Sequence, residues 1–171
     1  MSSIIKVDQI QLADGSTPTA GDLGLNTTGS VLQVVSSYYT TATSVTSSTF
    51  TDIGLSVSIT PTSTSNKILV LTSVAQSTSA GDTVIRMVRD STVIGEGTTG
   101  TVFNGIAGQS SGSYANASVS SSANYLDSPS TTSSVTYKIQ AATNSQGYIN
   151  RRAANLEFGQ ASYITVMEIA G

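Results

Sequence analysis

The side chains that most often perform catalysis at neutral pH are missing from this sequence. It contains neither His nor Cys, which excludes a His-assisted serine nucleophile, a cysteine nucleophile and the usual zinc ligands within one chain. Paired carboxylates, which flank the scissile bond in most glycosidases, are the chemistry that remains. The ten acidic residues that could form such a pair are Asp8, Asp14, Asp22, Asp52, Asp82, Asp90, Glu96, Asp127, Glu157 and Glu168.

Most of these acidic residues fall at predicted turns or strand ends, where solvated carboxylates are usual. Asp52, Asp82 and Asp90 are interpreted as separate turn residues, and no spacing matches a calcium-binding loop. Glu168 lies inside a predicted strand, where an inward-facing carboxylate is one alternative, but we expect it on a solvated face or at a subunit junction. The sequence therefore predicts no enzymatic activity, no metal site and no cofactor.

The overall composition indicates one domain with a neutral, hydroxyl-rich surface. Of the 171 residues, 30 are Ser and 25 are Thr, while charged residues make up only 10%. A net charge of −3 gives no electrostatic attraction to nucleic acid. No apolar run approaches the roughly 20 residues that span a bilayer, and the first residues lack the features of a secretory signal. We expect a soluble protein that neither binds nucleic acid nor inserts into a membrane.

Residues 1–30 are predicted to form an extended amino-terminal arm. The stretch from Ile4 to Leu12 has strand-forming residues without regular alternation, and Asp14-Gly15 is a strong turn signal. So long a connection without periodicity is unusual inside a compact domain. We expect the arm to pack along neighbouring subunits; the alternative is a local strand and a long loop on its own domain. The predicted assembly residues of the arm are Ile4, Ile5, Val7, Ile10, Leu12, Leu23 and Leu25.

After the arm, the sequence is a succession of short strand-like runs without helical periodicity. Leu55 to Thr60 alternates apolar and hydroxyl residues, which is typical of a strand with one buried and one solvated face. Lys67 to Val74 is apolar at consecutive positions, which predicts a central strand. Asp82 to Arg89 and Thr92 to Gly95 predict a hairpin that turns at Asp90-Ser91. The other predicted strands are Val31 to Tyr39, Tyr125 to Asp127, Ser134 to Gln140, Tyr148 to Asn150 and Ala161 to Ile169.

The number and spacing of these runs predict the fold class. Around eight to ten short strands separated by turn signals indicate an all-β fold, an antiparallel β-sandwich over residues 31–171, with jelly-roll connections as one option. The Thr-rich repetition in residues 40–50 is too short to be a structural repeat, so solenoids and propellers find no support. The segment between Gly95 and Asn124 has few apolar anchors.

A cationic pair beside a tyrosine is the predicted surface contact. Arg151 and Arg152 follow Tyr148 closely in a chain with only seven cationic residues. The pair could meet an acidic residue of a neighbouring subunit or bind an acidic surface glycan, with the Tyr148 ring as an apolar surface for a sugar. The alternative is a solvated loop tip.

Motifs at both ends of the chain and in its body carry a resemblance that composition does not supply. The opening motif Ile4-Ile5-Lys6-Val7-Asp8-Gln9-Ile10-Gln11 is followed by Thr17 to Asn26 and Gly29 to Val35. Together with body segments they resemble marine bacteriophage tail-fibre-like and virion structural proteins. The body segments are Gly54 to Leu71, Tyr125 to Pro129, Thr131 to Ile139, Tyr148 to Arg151 and Ile164 to Gly171.

This resemblance covers nearly the whole chain and implies a trimeric, β-rich virion component, without specifying a reaction. We therefore predict a homotrimeric tail-fibre or fibre-tip protein that assembles through its arm, joins other virion proteins and contacts the host surface. Two alternatives are a capsid decoration protein that bridges coat subunits and a module that binds host glycans. The expected location is the tail or the outer capsid surface of a virion.

Overall fold

The computed structural model describes residues 9–25, 27–100, 102–111, 116–156 and 158–171. Within these ranges the chain forms eleven strands, and it has no helix long and apolar enough to cross a bilayer. The predicted all-β class is confirmed. The strands are β1 (Val31–Tyr39), β2 (Thr43–Val45), β3 (Thr51–Ile59), β4 (Lys67–Ala80), β5 (Asp82–Arg89), β6 (Thr92–Ile94), β7 (Ala107–Ser110), β8 (Ser118–Asp127), β9 (Val135–Thr143), β10 (Gln146–Ile149) and β11 (Ser162–Ile169).

The strands form two antiparallel sheets, which confirms the predicted β-sandwich. In the six-stranded sheet, β4 pairs on one side with β8 and on the other with β11 and then β10, while β1 pairs with β11 and β2 with β10. The five-stranded sheet has the order β3-β9-β5-β6, and β7 also pairs with β5. With β2, β7 and β10 as short additions, the remaining eight strands form two four-stranded layers, β1-β11-β4-β8 and β3-β9-β5-β6, which is the strand order of a jelly roll.

The core lies between the two sheets and is built from the inward-facing residues of alternating strands. Leu55, Val57 and Ile59 are buried and their neighbours along β3 are exposed, so the predicted alternation is confirmed. Ile68 and Val70 of β4 are fully buried against them. The predicted central strand is also confirmed, and it continues to Ala80.

The predicted hairpin joins β5 to β6, and its turn depends on Asp90. This residue adopts a φ of 52°, a left-handed conformation that Asp tolerates better than most residues because its side chain can bond locally. Its Oδ1 accepts a hydrogen bond from the Thr136 amide at 2.8 Å. The turn is therefore tied to the neighbouring strand β9.

A glycine allows the two sheets to approach at one side of the sandwich. Gly54 has a φ of 95° and lies at the register shift between Asp52 and Ser56 in β3. The ring of Tyr39 packs so closely on it that a Cβ would lie 2.7 Å from a ring carbon. An aromatic ring from β1 thus covers the irregular point of β3.

The sequence pattern underestimated the number of strands. The predicted eight to ten strands are eleven, because β2 lies in the Thr-rich connection and β7 lies in the segment with few apolar anchors. Strand β8 begins at Ser118, seven residues before the predicted run. Four of its first five residues are Ser, so its strand conformation comes from its ladder with β4 and not from local propensity.

The described part of the arm, residues 9–25 and 27–30, contains no strand. The backbone hydrogen bonds of residues 9–25 are local, as between the Leu12 amide and the Ser16 carbonyl at 2.8 Å. Residues 9–25 are exposed apart from the half-buried Pro18. The arm joins the sandwich where Ser30 pairs with Ala170 after the end of β11.

Candidate functional site

The outward face of the six-stranded sheet carries three rows of side chains across β8, β4, β11 and β1. Residues that face each other in an antiparallel ladder lie on the same side of the sheet, so the pairing registers define these rows. We call the twelve residues the apolar face. The rows are Leu126-Leu69-Met167-Val34, Asn124-Leu71-Thr165-Ser36 and Ser122-Ser73-Tyr163-Tyr38.

Large apolar side chains of the apolar face are open to solvent in the single chain. Tyr38 is 70% exposed, Val34 55%, Tyr163 53% and Leu126 48%. Soluble proteins rarely leave contiguous apolar patches of more than a few hundred Å² uncovered, and larger ones mark interaction surfaces. The apolar face is therefore the main candidate for binding another macromolecule.

The sequence of β4 also indicates an interaction surface. Leu69 and Leu71 alternate with the buried Ile68 and Val70, so the strand is apolar on both faces. Runs of this kind are typical of strands that are covered on both sides. Among the residues that the structure describes, only the inner side of β4 is covered by a second sheet, and Leu71 on the outer side is 36% exposed.

The outward face of the five-stranded sheet has the opposite character. Asp52 of β3 forms an ion pair with Lys138 of β9 at 2.9 Å, and Arg86 of β5 donates a hydrogen bond to Gln140 at 2.9 Å. None of the twelve residues of the apolar face is charged. The two outward faces of the sandwich therefore differ in chemistry, since one carries charged side chains and the other carries none.

A shallow groove crosses the apolar face. It has a volume of about 360 Å³ and runs between β8, β4 and β11, with Leu71, Tyr163 and Ser122 among its lining residues. If side chains of a partner filled this groove, the partner would also contact the apolar side chains on either side of it. The groove has no charged lining residue that would orient an ionic ligand.

Both edges of the sheet that carries the apolar face lack a paired neighbour in the described part of the chain. Strand β1 pairs with β11 alone, and β8 pairs with β4 alone. Open edges are usually protected by Lys, Pro, bulges or short length. These two strands have nine and ten residues and contain no Lys, Arg or Pro, although β1 has one register shift between Val31 and Gln33.

The predicted assembly residues of the arm fall into two groups. Ile4, Ile5 and Val7 lie outside the described residues. Those that the structure describes are exposed: Ile10 by 50%, Leu12 by 37%, Leu23 by 44% and Leu25 by 66%. No strand forms over residues 9–12, where the alternative interpretation placed one. Packing of the arm on a neighbouring subunit stays a prediction.

The predicted surface contact forms a compact cluster beyond one end of the apolar face. The Arg151 guanidinium lies 4.4 Å from the centre of the Tyr148 ring and covers it, a cation–π arrangement. Arg151 also donates from Nε to the Arg152 carbonyl, and Arg152 donates to the Asn116 carbonyl. These bonds to backbone hold both side chains against the loop, and both residues are half-buried. Glycan binding, pairing with an acidic residue of a neighbouring subunit and the alternative of a solvated loop tip all stay predictions.

Glu168 differs from its expected position. It is fully buried, so the expectation of a solvated face or a subunit junction is wrong. Its Oε1 accepts hydrogen bonds from the amide and hydroxyl of Thr62 and from Nδ2 of Asn66, and its Oε2 accepts one from Nε2 of Gln33. Burial alone raises the pKa of this carboxyl, but these hydrogen bonds outweigh burial and hold the pKa below its ordinary value of 4.5.

The lowered pKa of Glu168 predicts a loss of stability in acid. The folded state favours the carboxylate, so its contribution is present above the unfolded-state pKa and is lost as the pH falls through the lower folded-state pKa. We expect Glu168→Gln to lose about 1–3 kcal/mol at pH 7 and to depend less on pH below 4.5 than the native chain. Urea unfolding at pH 7, 5, 4 and 3 measures both effects.

Asp52→Asn is the matched control for this experiment. Asp52 is also a hydrogen-bonded carboxylate, but half of its side chain is exposed, so its removal should have a smaller effect at pH 7. An acid dependence that is as steep in Glu168→Gln as in the native chain would show that this carboxylate does not couple folding to pH.

The other acidic residues occupy separate places. Asp52 lies within β3, not in a turn as predicted, while Asp90 is in the predicted turn. Asp82 is the first residue of β5, and its Oδ2 accepts a hydrogen bond from Asn144 at 2.9 Å. Among the residues that the structure describes, no three acidic side chains come together as a potential metal site.

Comparison with known proteins adds no relative. No protein-family model matches the sequence, and no curated protein is significantly similar to it.

Proposed function

We propose that this chain is a structural protein of a bacteriophage virion, a homotrimeric component of a tail fibre or fibre tip. The observation that carries the proposal is the apolar face, which is uncharged and exposed on one side of an otherwise well-packed sandwich. The resemblance of the sequence to tail-fibre-like proteins supplies the virion context. The proposed function is structural, because the chain contributes an apolar surface that is buried only when copies assemble.

A second copy is the partner that best suits the apolar face. The chain has a net charge of −3, so its charged surfaces repel one another weakly, and the uncharged apolar face is where copies can meet without that cost. Obligate interfaces between identical subunits are more hydrophobic than transient ones and resemble a divided protein core. Tyr38, Tyr163 and Leu126 supply side chains typical of such interfaces.

The arm supplies a second contact in this proposal. Ile10, Leu12, Leu23 and Leu25 are exposed on a segment whose backbone bonds are local, so their burial requires another surface. We expect the arm to lie on a neighbouring subunit or on the virion protein to which the trimer attaches. This contact anchors the trimer, while the sandwich faces outward to the host.

Sedimentation equilibrium tests the assembly. The expected result for the purified full-length chain is one species with three times the 17.5 kDa chain mass, unchanged across a hundredfold range of protein concentration. A stable monomer at these concentrations would overturn the proposal, since it would show that the exposed apolar face does not need a partner.

Immunogold electron microscopy of intact particles tests the location. Antibody against the chain should label the tail or its fibres. Label on the capsid would replace the tail-fibre assignment with capsid decoration, which needs the same self-complementary surface for bridging coat subunits. Particles without label would contradict a virion role altogether.

A further inference from the structure

A second groove lies on the outward face of the five-stranded sheet, on the side of the sandwich opposite the apolar face. The segment between β6 and β7 packs on β5 there. It leaves a groove of about 310 Å³ beside the residues that precede β3. We call this the polar groove. Its lining residues include Phe50, Arg86, Glu96, Val102, Phe103 and Asn104.

Two aromatic rings form one side of the polar groove. The rings of Phe50 and Phe103 meet edge to face, with their centres 6.0 Å apart, and the Arg86 guanidinium lies 4.2 Å from the centre of the Phe50 ring. In an edge-to-face pair, each ring covers at most one face of the other. The pairing therefore leaves at least one face of the Phe103 ring, and this residue is only half-buried.

The polar groove also contains a donor and an acceptor whose hydrogen-bonding capacity is not used within the described part of the chain. Arg86 donates from Nε to Gln140 at 2.9 Å, and Gln140 donates to Asp52 at 2.6 Å. These bonds fix the guanidinium, while its two terminal nitrogens form no hydrogen bond with a described residue. The Glu96 carboxylate likewise has neither a hydrogen bond nor an ion pair to any described residue.

The loop that carries Phe103 is held in place before any ligand binds. The Asn104 side chain accepts a hydrogen bond from the Gly100 amide at 2.9 Å. The next residue, Gly105, lies so close to β5 that a Cβ there would collide with the Val84 side chain. A loop that is already ordered loses little conformational freedom on binding, so more of the interaction energy is available as affinity.

The charges and size of the polar groove favour a small neutral ligand. Of the described residues that line it, Arg86 and Glu96 alone are charged, and their charges are opposite. An anion would meet the Glu96 carboxylate, and a cation would meet the Arg86 guanidinium. The groove volume of about 310 Å³ lies at the lower end of the range of roughly 300–1,000 Å³ for small-molecule sites.

We propose that the polar groove binds a neutral sugar unit of a glycan. The apolar C–H face of a pyranose ring packs on the Phe103 ring, the terminal nitrogens of Arg86 donate to sugar hydroxyls, and the Glu96 carboxylate accepts from them. The inference goes beyond the proposed homotrimer and does not depend on it, because the groove lies within one chain and on the face opposite the apolar face. It also places glycan recognition away from the predicted surface contact.

A glycan array that carries neutral and acidic glycans tests the ligand class. The fluorescently labelled full-length chain should bind a subset of the neutral glycans, and acidic derivatives of the same glycans should bind more weakly because of Glu96. An array on which no neutral glycan binds would overturn the proposal, and so would binding to acidic glycans alone.

Substitutions then locate the binding site. Phe103→Leu keeps an apolar side chain but removes the ring face, and Glu96→Gln removes the carboxylate at nearly constant size. We expect each variant to weaken binding of the best neutral glycan roughly tenfold in titration calorimetry. The matched control is Phe158→Leu, which removes a ring whose centre lies 5.9 Å from the Arg152 guanidinium and should leave the affinity unchanged.

The opposite ranking would show that the saccharide binds at the predicted surface contact and not in the polar groove. Circular dichroism checks that the variants fold, and Glu96→Gln decides if Phe103→Leu does not. Sedimentation equilibrium of the same samples separates this inference from the proposed function. A trimer that binds no glycan contradicts only the saccharide site, whereas a monomer that binds glycan contradicts only the proposed homotrimer.

Discussion

Replacement of Leu71 by Lys should convert the proposed trimer into folded monomers. Leu71 occupies the central row of the apolar face and lines its groove, so the proposed trimer would bury its side chain at a subunit interface. A Lys at this position would bury a charge without a partner in each subunit, and each uncompensated buried charge costs several kcal/mol. We expect association to weaken by roughly 100-fold or more, about 2.7 kcal/mol.

The monomeric state of Leu71→Lys is measurable because the substitution leaves the core unchanged. Leu71 points away from Ile68 and Val70, which pack between the sheets. The variant should therefore keep a native circular dichroism spectrum at 20 °C while sedimentation reports a single chain.

Ser58→Lys is the control for added charge. Ser58 is exposed on the outward face of the five-stranded sheet, where Lys138 and Asp52 already form an ion pair. If Leu71→Lys and Ser58→Lys associate equally well, the prediction is wrong and the subunit interface lies away from the apolar face.

Local sequence patterns predicted those strands whose residues have strong β preferences. The run from Val31 to Tyr39 matches β1 at both ends, and the Asp90-Ser91 turn appears where the Asp residue allows it. These features depend on side chains close together in the sequence. Strand β8 depends instead on β4, which lies more than 40 residues earlier in the sequence, and its Ser-rich first half gives no local signal.

The apolar face could not be identified from any one segment of the sequence. Consecutive apolar residues in Lys67 to Val74 predicted a central strand, which is correct, but the prediction did not say which of its side chains face outward. Only the pairing registers show that Leu69 and Leu71 share a face with Val34 and Tyr163. Such a face joins residues from four strands, so no single segment reveals it.

The burial of the acidic side chains could not be predicted from local sequence either. Glu168 is bonded to Gln33, Thr62 and Asn66, each more than 100 residues away along the chain. A strand Glu is usually solvated, and the alternation of β11 does not identify its three partners. A buried acidic side chain with hydrogen bonds to distant residues can be predicted only when the fold that brings those residues together is known.

The largest loss of folding stability is expected for Asp127→Ala. Asp127 ends β8 in the six-stranded sheet and is almost fully buried. Its two oxygens accept hydrogen bonds from the Arg89 guanidinium at 2.8 and 2.7 Å, and Oδ2 also accepts one from the Tyr137 hydroxyl at 2.7 Å. Both donors belong to the five-stranded sheet, so one carboxylate joins the two layers of the sandwich.

Removal of this carboxylate would leave both donors without their acceptor. The Tyr137 side chain is fully buried; its burial, together with the Asp127 hydrogen bond, raises its pKa well above the ordinary value of 10, so the hydroxyl remains a donor. Loss of a partner in a buried ion pair costs about 3–5 kcal/mol. Since 22% of the Arg89 side chain is exposed, we expect the lower end, about 3 kcal/mol, and a fall in Tm of roughly 6–12 °C.

Two further variants isolate the role of burial. Asp52→Ala removes a carboxylate from the exposed ion pair with Lys138, which should cost at most about 1 kcal/mol. Tyr137→Phe deletes only the buried hydroxyl and should cost about 1 kcal/mol, with Asp127 still bonded to Arg89. Denaturant unfolding at one fixed protein concentration ranks the three variants. If Asp127→Ala costs no more than Asp52→Ala, the link between the sheets contributes little, and apolar packing alone holds the sandwich together.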